Sequence, residues 1–249
     1  MSDTFLTKLA NQLRQRLASH GLLRRIYRRL TRGPQSLEGL IHRRLRGLSS
    51  VFFVQVGSND GNHGDPISSF IRRERRWSGI FVEPVPEIFR RLKLSYGPDP
   101  RFIYENVLLG TSREPTKFYY VDERAKQDLG DVVPYWYDQL GSFNRNHIVK
   151  HLNGLLEPYI VEAELPSVPL PELLDRNQVK HIDLLHIDTE GFDYEVLMQF
   201  DFERFRPAVV LYEHKHLNPE LRSKAQELLQ GYGYTLRPRT DDTLALQPR

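Results

Sequence analysis

Strand-like and helix-like segments alternate along this chain from residue 51 to residue 247. Seven apolar runs have the length and the β-branched or aromatic content of strands, and they cover residues 51–56, 78–84, 101–107, 181–188, 207–213, 232–238 and 243–247. Helix-like segments lie between them near residues 66–76, 86–95, 170–178, 192–200 and 219–230. This alternation predicts an α/β domain with a mainly parallel central sheet. Because only "RTDD" separates the last two runs, we expect those two to pair as an antiparallel hairpin.

Residues 110–168 interrupt the alternation with a long insertion. It contains the segments "TKFYYVDE", "VPYWYDQLGSFNRNHIVKH" and "YIVEAELPSVP". Long insertions after the carboxyl end of a strand often shape a substrate pocket. Aromatic rings and side-chain amides suit the apolar faces and hydroxyl rims of a sugar, so we predict acceptor contacts for Trp136, Phe143, Asn144 and His147. The alternative is that these residues form a small satellite core beneath a long loop.

A basic extension precedes the predicted domain, which covers residues 51–249. Residues 1–50 hold 11 of the 35 Lys and Arg residues and two of the 32 acidic ones, so their formal charge is +9 against −6 for the rest. Apolar residues at helical spacing predict one or two amphipathic helices in residues 4–31 and a short basic helix at 37–47. The arginine-rich face is either simply solvated or a contact for anionic membrane lipids. Nucleic acid is the least favoured partner, since only Tyr27 is interleaved among the arginines.

Composition excludes several kinds of site and compartment. The chain has no cysteine, which excludes disulfides, thiolate zinc sites and a cysteine nucleophile. No run reaches the roughly 18 apolar residues that a membrane span needs, and the N-terminus lacks the apolar core of a signal peptide. We therefore expect a cytoplasmic location, with peripheral attachment to the inner membrane face through residues 1–50 as the alternative.

Polar or acidic residues stand where five successive predicted strands end. The first strand runs into Gly57, Ser58, Asn59, Asp60 and Gly61, and the next four are closed by Glu83, Asn106, Asp188 and Glu213. Ligands of open α/β sheets bind outside the carboxyl ends of the strands, and glycine lets the backbone approach a ligand closely. An acidic residue about 20 positions after such a loop is placed to accept hydrogen bonds from ribose hydroxyls.

The loop chemistry favours a nucleoside cofactor without phosphates. A dinucleotide site prefers G-x-G-x-x-G, but Asn59 stands at the position of the second glycine, and Asp60 would meet the phosphates with negative charge. The loop also lacks the lysine of a phosphate-binding P-loop. S-adenosylmethionine has no phosphate, its sulfonium is positive, and Asp60 could meet its ammonium group.

These residues together resemble a known family. The segments "FFVQVGSNDGNHGDP", "WSGIFVEPVPEIFRRL", "YENVLLG", "IDLLHIDTEGFDYEVL" and "VVLYEHKHL" are similar to those of FkbM-type, class I S-adenosylmethionine-dependent methyltransferases. The resemblance implies a Rossmann-like sheet of order 3-2-1-4-5-7-6 with the last strand antiparallel and helices on both faces. It also implies that the loop Gly57–Gly61 holds the methionine part, that Glu83 and Pro84 lie at the ribose, and that Asn106 borders the adenine. Family members of this type suggest a sugar hydroxyl as the acceptor.

Methyl transfer to a hydroxyl requires alignment of two reactants and removal of a proton. We predict catalytic roles for Asp188, Glu190 and His214, with His214 as a candidate general base. One alternative is that Asp188, Glu190 and Glu213 hold Mg²⁺, for which the sequence has no specific signal, and another is catalysis by proximity alone. We expect the side chain of His186, which lies within a strand, to be buried and hydrogen-bonded.

The function predicted is therefore an S-adenosylmethionine-dependent O-methyltransferase that acts on a sugar hydroxyl of a glycan, glycolipid or glycosylated metabolite. A second hypothesis is a non-catalytic binding or scaffold protein that acts through residues 1–50. A nicotinamide-dependent oxidoreductase is a third hypothesis, which Asn59 and Asp60 disfavour.

Overall fold

The structure, a computed structural model, describes residues 36–62 and 65–248. The helices predicted in residues 4–31 lie outside the described residues. The chain divides into two units between Arg46 and Gly47. In the first unit, helix α1 (Leu37–Leu45) begins where the Ser36 hydroxyl accepts a hydrogen bond from the Gly39 N–H at 3.0 Å. A serine at this position satisfies one of the free N–H groups of the first helical turn.

The second unit alternates strands and helices. Its strands are β1 (Val51–Val56), β2 (Trp77–Val82), β3 (Phe102–Glu105), β4 (Leu108–Leu109), β5 (Thr116–Val121), β6 (Ile160–Leu165), β7 (Ser167–Val168), β8 (Leu184–Ile187), β9 (Val209–Glu213), β10 (Thr235–Pro238) and β11 (Asp242–Leu246). Its α-helices are α2 (Ser68–Arg73), α3 (Pro86–Tyr96), α4 (Arg124–Leu129), α5 (Arg145–Val149), α6 (Leu170–Arg176), α7 (Asp193–Gln199) and α8 (Pro219–Gly231). The α/β class predicted from the alternation is confirmed.

Seven of these strands form the central sheet, in the order β3-β2-β1-β8-β9-β11-β10. Counted among themselves in chain order, they read 3-2-1-4-5-7-6, which is the order that the resemblance implies. The pairs β1–β2, β2–β3, β1–β8 and β8–β9 are parallel, and β11 is antiparallel to both of its neighbours. The hairpin predicted around "RTDD" is therefore present as β10–β11.

The two faces of the sheet have different packing. On one face, Val54, Ile80 and Leu185 belong to the largest apolar cluster, which also takes in residues of α6, α7 and α8. On the other face, the ring of Phe81 lies 4.9 Å from that of Phe53 and 4.7 Å from that of Tyr96 in α3, centroid to centroid. Neighbouring residues of a strand point to opposite faces, so parallel strands covered on both sides read as continuous apolar runs.

The insertion predicted at residues 110–168 forms one small sheet of its own and contributes β7 to a second, whose other strand precedes it. Strands β5 and β6 pair antiparallel, and β4 pairs with β7 in parallel. A separate apolar cluster joins β5 to the helices of the insertion, and it is formed by Val121, Ala125, Val133, Tyr137, Leu140, Ile148 and Leu156. The strand pair β5–β6 was not predicted. Among the residues that the structure describes, no helix combines the length and the apolar character needed to cross a membrane.

Candidate active site

A cleft opens where β1, β2 and β8 end. Its empty space, counted together with the part open to solvent, is about 530 Å³. The strand ends and their loops contribute Val56, Gly57, Asn59, Val82, Glu83, Pro84, Asp188, Thr189 and Glu190 to its wall. The insertion contributes Phe118, Asp138, Gln139, Gly141 and Phe143. The cleft therefore lies at the carboxyl ends of parallel strands, the place that the sequence predicted for a ligand.

The first loop brings its backbone against the end of β8. Gly57 has a φ angle of +74°, and a Cβ atom built there would lie 1.7 Å from the carbonyl oxygen of Asp188. Glycine is required for both reasons, since other residues rarely adopt this angle and no side chain fits. Asn59 also has a positive φ, of 48°, and both residues line the cleft.

The other loop residues predicted to bind cofactor make internal contacts. The Ser58 hydroxyl donates to the Gln55 carbonyl at 2.9 Å and accepts from the Val82 N–H at 3.1 Å, so it fastens β1 to β2. The Asp60 carboxylate accepts the Asn62 N–H at 2.9 Å. A Cβ atom on Gly61 would meet the Tyr96 ring at 2.4 Å. These contacts explain the residue types structurally, and the cofactor contacts predicted for all three residues stay predictions.

Glu83 joins the second strand to the first loop. Its carboxylate is buried and accepts the N–H groups of Asn59 and Val85, each at 2.9 Å. Burial raises the pKa of Glu83 to about 7, although both hydrogen bonds and the Arg91 guanidinium act in the opposite direction. Glu83 and the adjacent Pro84 both line the cleft. The ribose contact predicted for them stays a prediction.

Asn106 holds the backbone beneath the cleft. Its side-chain amide donates to the carbonyls of Glu83 at 2.8 Å and Pro84 at 3.0 Å. Among the described residues, the wall beyond it is formed by the apolar residues Val107, Leu108 and Leu109. The structure thus gives Asn106 a positioning contact, and the adenine border predicted for it stays a prediction.

The loop after β8 carries three carboxylates. Burial raises the pKa of Asp188 well above its usual range, and the charges of Glu190 and Asp193 raise it further. Asp193 is fully buried and accepts hydrogen bonds from the Thr189 hydroxyl at 2.9 Å, the Gly191 N–H at 3.3 Å and the Glu213 N–H at 3.2 Å. Asp193 therefore ties the loop that bears Glu190 to the end of β9.

A second depression adjoins the cleft. Its wall includes Ser142, Phe143, Asn144, His147, Lys150, His151, Glu190, Gly191, Phe192, Lys215 and His216. Phe143, Glu190 and Phe192 line both spaces, so the depression and the cleft meet at these three side chains. An acceptor in the depression would therefore reach the cleft beside Glu190.

Two histidines converge on Glu190 at this border. The Nε2 atom of His147 lies 3.0 Å and that of His216 3.1 Å from Oε2 of Glu190. The Oε2 atom of Glu213 lies 3.7 Å from the same nitrogen of His216. Burial lowers the pKa of His216 to about 4, so its ring is neutral at neutral pH.

The structure does not bring His214 into this group. Its Nδ1 atom lies at hydrogen-bond distance, 2.9 Å, from the Thr243 hydroxyl of β11, and the ring is buried there. His216, two residues further along the chain, lies at the position where the sequence placed His214. The strand ends at Glu213, and the turn that follows it redirects the two histidines.

Three of the four predicted acceptor residues line the depression, and one does not. Phe143, Asn144 and His147 belong to its wall, and Asn144 also caps α5 by accepting the Asn146 N–H at 3.0 Å. Trp136 instead packs against the apolar cluster of the insertion, with its ring 5.9 Å from that of His151. For Trp136 the satellite core, which was the alternative prediction, describes the contacts.

Asp138 and Phe192 are site residues that had no role in the sequence predictions. Asp138 lines the cleft and forms an ion pair with Arg91 of α3. Phe192 lines both spaces and lies 4.4 Å from the Phe143 ring, centroid to centroid. Neither belongs to a spacing pattern, although Phe192 lies inside the segment "HIDTEGFDYE" that carried the resemblance.

The comparison with protein families identifies one match. The methyltransferase FkbM domain matches residues 55–236. No curated protein matches the chain.

Solved structures give distant matches. A Methanococcus jannaschii fibrillarin pre-rRNA processing protein is 11% identical, with 79% of this chain and 65% of that chain covered and a TM-score of 0.40. A precorrin-6y C5,15-methyltransferase from Geobacter metallireducens is 11% identical, with 85% and 88% covered and a TM-score of 0.39. Aeropyrum pernix fibrillarin, crystallised with bound S-adenosyl-L-methionine, is 11% identical, with 79% and 65% covered and a TM-score of 0.38. The match spans about two thirds of the length of each fibrillarin.

Proposed function

This chain belongs to the FkbM methyltransferase family, a family that uses S-adenosylmethionine, and we propose that it methylates a sugar hydroxyl of a glycan, glycolipid or glycosylated metabolite. One observation carries the proposal. The cleft at the strand ends, with Gly57, Glu83 and Asp188 in its wall, opens onto a second depression at Glu190. Two adjoining spaces with a polar border are what a transfer between two bound molecules requires.

The residues of the cleft fit the cofactor. S-adenosylmethionine supplies a methyl group on a positively charged sulfonium. Gly57 lets the first loop lie close to the ligand, and the side-chain oxygens of Glu83 and Asp188 give this wall hydrogen-bond acceptors. Val107 and Leu108 offer an apolar surface for a flat base.

The first loop is built unlike a dinucleotide site. In such a site the backbone N–H groups of the loop and the following helix approach the pyrophosphate. Here the Asn59 N–H donates to the buried carboxyl group of Glu83, so an acidic side chain lies directly against the loop backbone. This arrangement supports a phosphate-free cofactor over a nicotinamide dinucleotide.

The depression supplies the acceptor side. Phe143 and Phe192 place two aromatic rings beside the border, and Asn144 and His147 add polar atoms to the same wall. Aromatic faces with hydrogen-bonding groups around them suit the apolar faces and hydroxyls of a sugar. This composition supports a carbohydrate acceptor.

We assign removal of the hydroxyl proton to Asp188. It is the first residue after β8, it lines the cleft, and Glu190 lies two residues further along the same wall. A carboxylate at this position can accept the acceptor proton as the oxygen forms its new bond. His214, the base favoured from the sequence, is directed to Thr243 instead.

Calorimetry with S-adenosylmethionine and S-adenosylhomocysteine tests the cofactor assignment. We expect both to bind the wild type, Glu83→Ala to weaken both strongly, and NADH not to bind. Glu227→Ala is a matched control, because Glu227 is on the exposed side of α8. Equal affinity in Glu83→Ala would refute the role of Glu83, and no binding by either compound would favour the scaffold hypothesis.

Turnover with a panel of sugar acceptors tests the reaction. We expect Asp188→Asn to lower the rate by about 100-fold or more, the usual size of a general-base contribution, with cofactor affinity near that of the wild type. A wild-type rate in Asp188→Asn would remove Asp188 from the mechanism. Methylation of nitrogen acceptors but of no hydroxyl acceptor would refute O-methyl transfer.

A further inference from the structure

We propose that His147, Glu190 and His216 form a binding site for one divalent transition-metal cation at the border between the cleft and the depression. The site itself is inferred from these three side chains alone. The role assigned to the cation below rests on the proposed methyl transfer to a hydroxyl.

The three ligand atoms have the spacing of a metal site. The Nε2 atoms of His147 and His216 lie 3.0 and 3.1 Å from Oε2 of Glu190, and all three atoms lie within 4.8 Å of one another. Two ligand atoms about 2.1 Å from one cation and at a right angle to each other are about 3.0 Å apart. One cation can therefore contact all three without a large movement of any side chain.

Two of these three atoms lack the hydrogen bonds that buried polar atoms normally make. Within residues 36–62 and 65–248, Nε2 of His147 and Oε2 of Glu190 are both inaccessible to solvent, and neither has a hydrogen-bond partner. They lie 3.0 Å apart, yet their orientation is not that of a donor facing an acceptor. A buried polar atom without a partner requires an explanation, and a cation between the two atoms provides one.

The ligands are held by three separate elements. His147 lies on α5, Glu190 on the loop after β8, and His216 on the turn after β9. Asp193 fixes the second to the third, because its carboxylate bonds the N–H groups of Gly191 and Glu213. Glu190 and His216 therefore keep their spacing when the cation is absent, so binding should cost little reorganisation at these two ligands.

Two imidazoles and one carboxylate select the kind of cation. Nitrogen ligands favour Mn²⁺, Fe²⁺, Co²⁺ or Zn²⁺, whereas Mg²⁺ prefers oxygen ligands throughout. An all-oxygen set, Asp188, Glu190 and Glu213, shares one member with the first set and is the Mg²⁺ site considered from the sequence. Oε2 of Glu213 is also buried without a hydrogen-bond partner among the described residues, so the unpaired atoms do not separate the two sets. What favours the set with two histidines is the distance of both Nε2 atoms, 3.0 and 3.1 Å, from Oε2 of Glu190.

A cation here would act on the acceptor. Three protein ligands leave coordination positions open, and Glu190 faces both spaces, so an acceptor hydroxyl can take one of them. Coordination lowers the pKa of a hydroxyl group. The O–H bond then breaks with its electron pair left on oxygen, and the proton passes to Asp188.

Titration of the full chain with Co²⁺ tests the site, with the purification tag removed and with no cofactor or acceptor present. We expect one Co²⁺ per chain by calorimetry and by the visible absorption of the metal. Loss of a second-shell partner typically costs 10–100-fold in metal affinity, so His147→Ala and His216→Ala should each cost at least about 100-fold. His181→Ala should bind as the wild type does, because His181 is exposed and lies outside the set.

The possible results separate the proposals. No stoichiometric Co²⁺ binding, or binding retained when both His147 and His216 are replaced by Ala, would overturn the metal site. Preference for Mg²⁺ over Co²⁺, lost in Glu213→Gln but kept in His147→Ala, would overturn it in favour of the all-oxygen set. S-adenosylmethionine calorimetry on the same preparations reads the proposed function independently, so either proposal can fail alone. Unchanged thermal unfolding of the variants establishes that they are folded.

Discussion

Replacing Gly57 by Ala should damage both stability and cofactor binding. The added Cβ would lie 1.7 Å from the Asp188 carbonyl oxygen, and real Cβ atoms essentially never come closer than 3.0 Å, so the two backbones must separate by about 1.3 Å. That movement acts on the hydrogen bond from the Asp188 N–H to the Val56 carbonyl, now 2.9 Å long, whose loss costs about 1 kcal/mol. The left-handed backbone angle costs a further 1–2 kcal/mol, roughly, for any residue with a Cβ atom.

Gly233→Ala is the matched control, because it separates the two costs. Gly233 has a φ of +83°, but a Cβ atom there would meet nothing within 4 Å. Gly233→Ala should therefore lose only the angle cost, about 1–2 kcal/mol, and bind S-adenosylmethionine normally. Gly57→Ala should lose both costs, about 2–3 kcal/mol.

Differential scanning calorimetry and cofactor titration measure the two effects. About 2–4 °C of melting temperature per kcal/mol applies to a domain of this size, so Gly57→Ala should melt about 4–12 °C below the wild type. Its S-adenosylmethionine affinity should fall by roughly tenfold or more, since a shift of this size disrupts a ligand geometry. If Gly57→Ala matches Gly233→Ala in both measurements, the close approach of the first loop to β8 is not what constrains this position.

Three further perturbations have defined outcomes. Burial lowers the pKa of His186 from 6.5 to about 4, so its contribution to stability is complete above pH 6.5 and is lost as pH falls towards 4, by about 3 kcal/mol. Urea unfolding should show the wild type losing more stability over that range than His186→Gln, and equal losses would contradict the buried, neutral state. Asp193→Asn should lower the free energy of unfolding by about 1–3 kcal/mol, because one of the backbone N–H groups bonded to the Asp193 carboxylate loses its acceptor. It should also lower turnover more than cofactor affinity. Unchanged urea unfolding and turnover would show that the link from the loop after β8 to the end of β9 is dispensable. We propose that residues 1–50 contact anionic membrane, so four Arg→Gln changes should weaken sedimentation with phosphatidylserine vesicles at low salt by at least roughly tenfold, and equal sedimentation would refute it. The four positions are Arg24, Arg25, Arg28 and Arg29.

The central sheet was predictable because its strands are covered on both faces. Runs such as Val51–Val56 and Val209–Glu213 are buried along almost their whole length, which leaves a continuous apolar signal in the sequence. The pair β5–β6 has no such signal. Its strands are partly exposed, with Glu162 and Glu164 on the outer side of β6, and its two members are separated by the helices of the insertion. No short-range turn therefore marks their pairing.

On the cofactor side of the site, the sequence predicted the position of each strand-end residue, but it predicted the direction of the side chain for only some of them. Gly57 and Glu83 follow strands directly, so the position of the strand end gives the position of the residue in the cleft. Asn106 also follows a strand, but its amide turns back to the carbonyls of Glu83 and Pro84. The end of a strand fixes where a backbone lies, whereas the side-chain direction depends on the neighbouring strand that offers it a partner. That difference explains why Gly57 and Glu83 line the cleft whereas Asn106 supports it from behind.

The convergence of the residues at the border between the cleft and the depression could not be predicted from any local sequence pattern. His147, Glu190 and His216 come from α5, the loop after β8 and the turn after β9, and their spacing along the chain matches no metal motif. The strand period of two residues indicates which side chains share a face only while the strand continues. Beyond Glu213 that period no longer applies, and the turn sends His214 to Thr243 and His216 to Glu190. The choice between the two histidines is therefore made by β11, whose Thr243 hydroxyl offers His214 a buried partner on the far side of β9. Thr243→Val should accordingly loosen His214 and leave the Co²⁺ affinity of the His147–Glu190–His216 set unchanged, and a large loss of Co²⁺ affinity in Thr243→Val would show that the two histidines are not separated in this way.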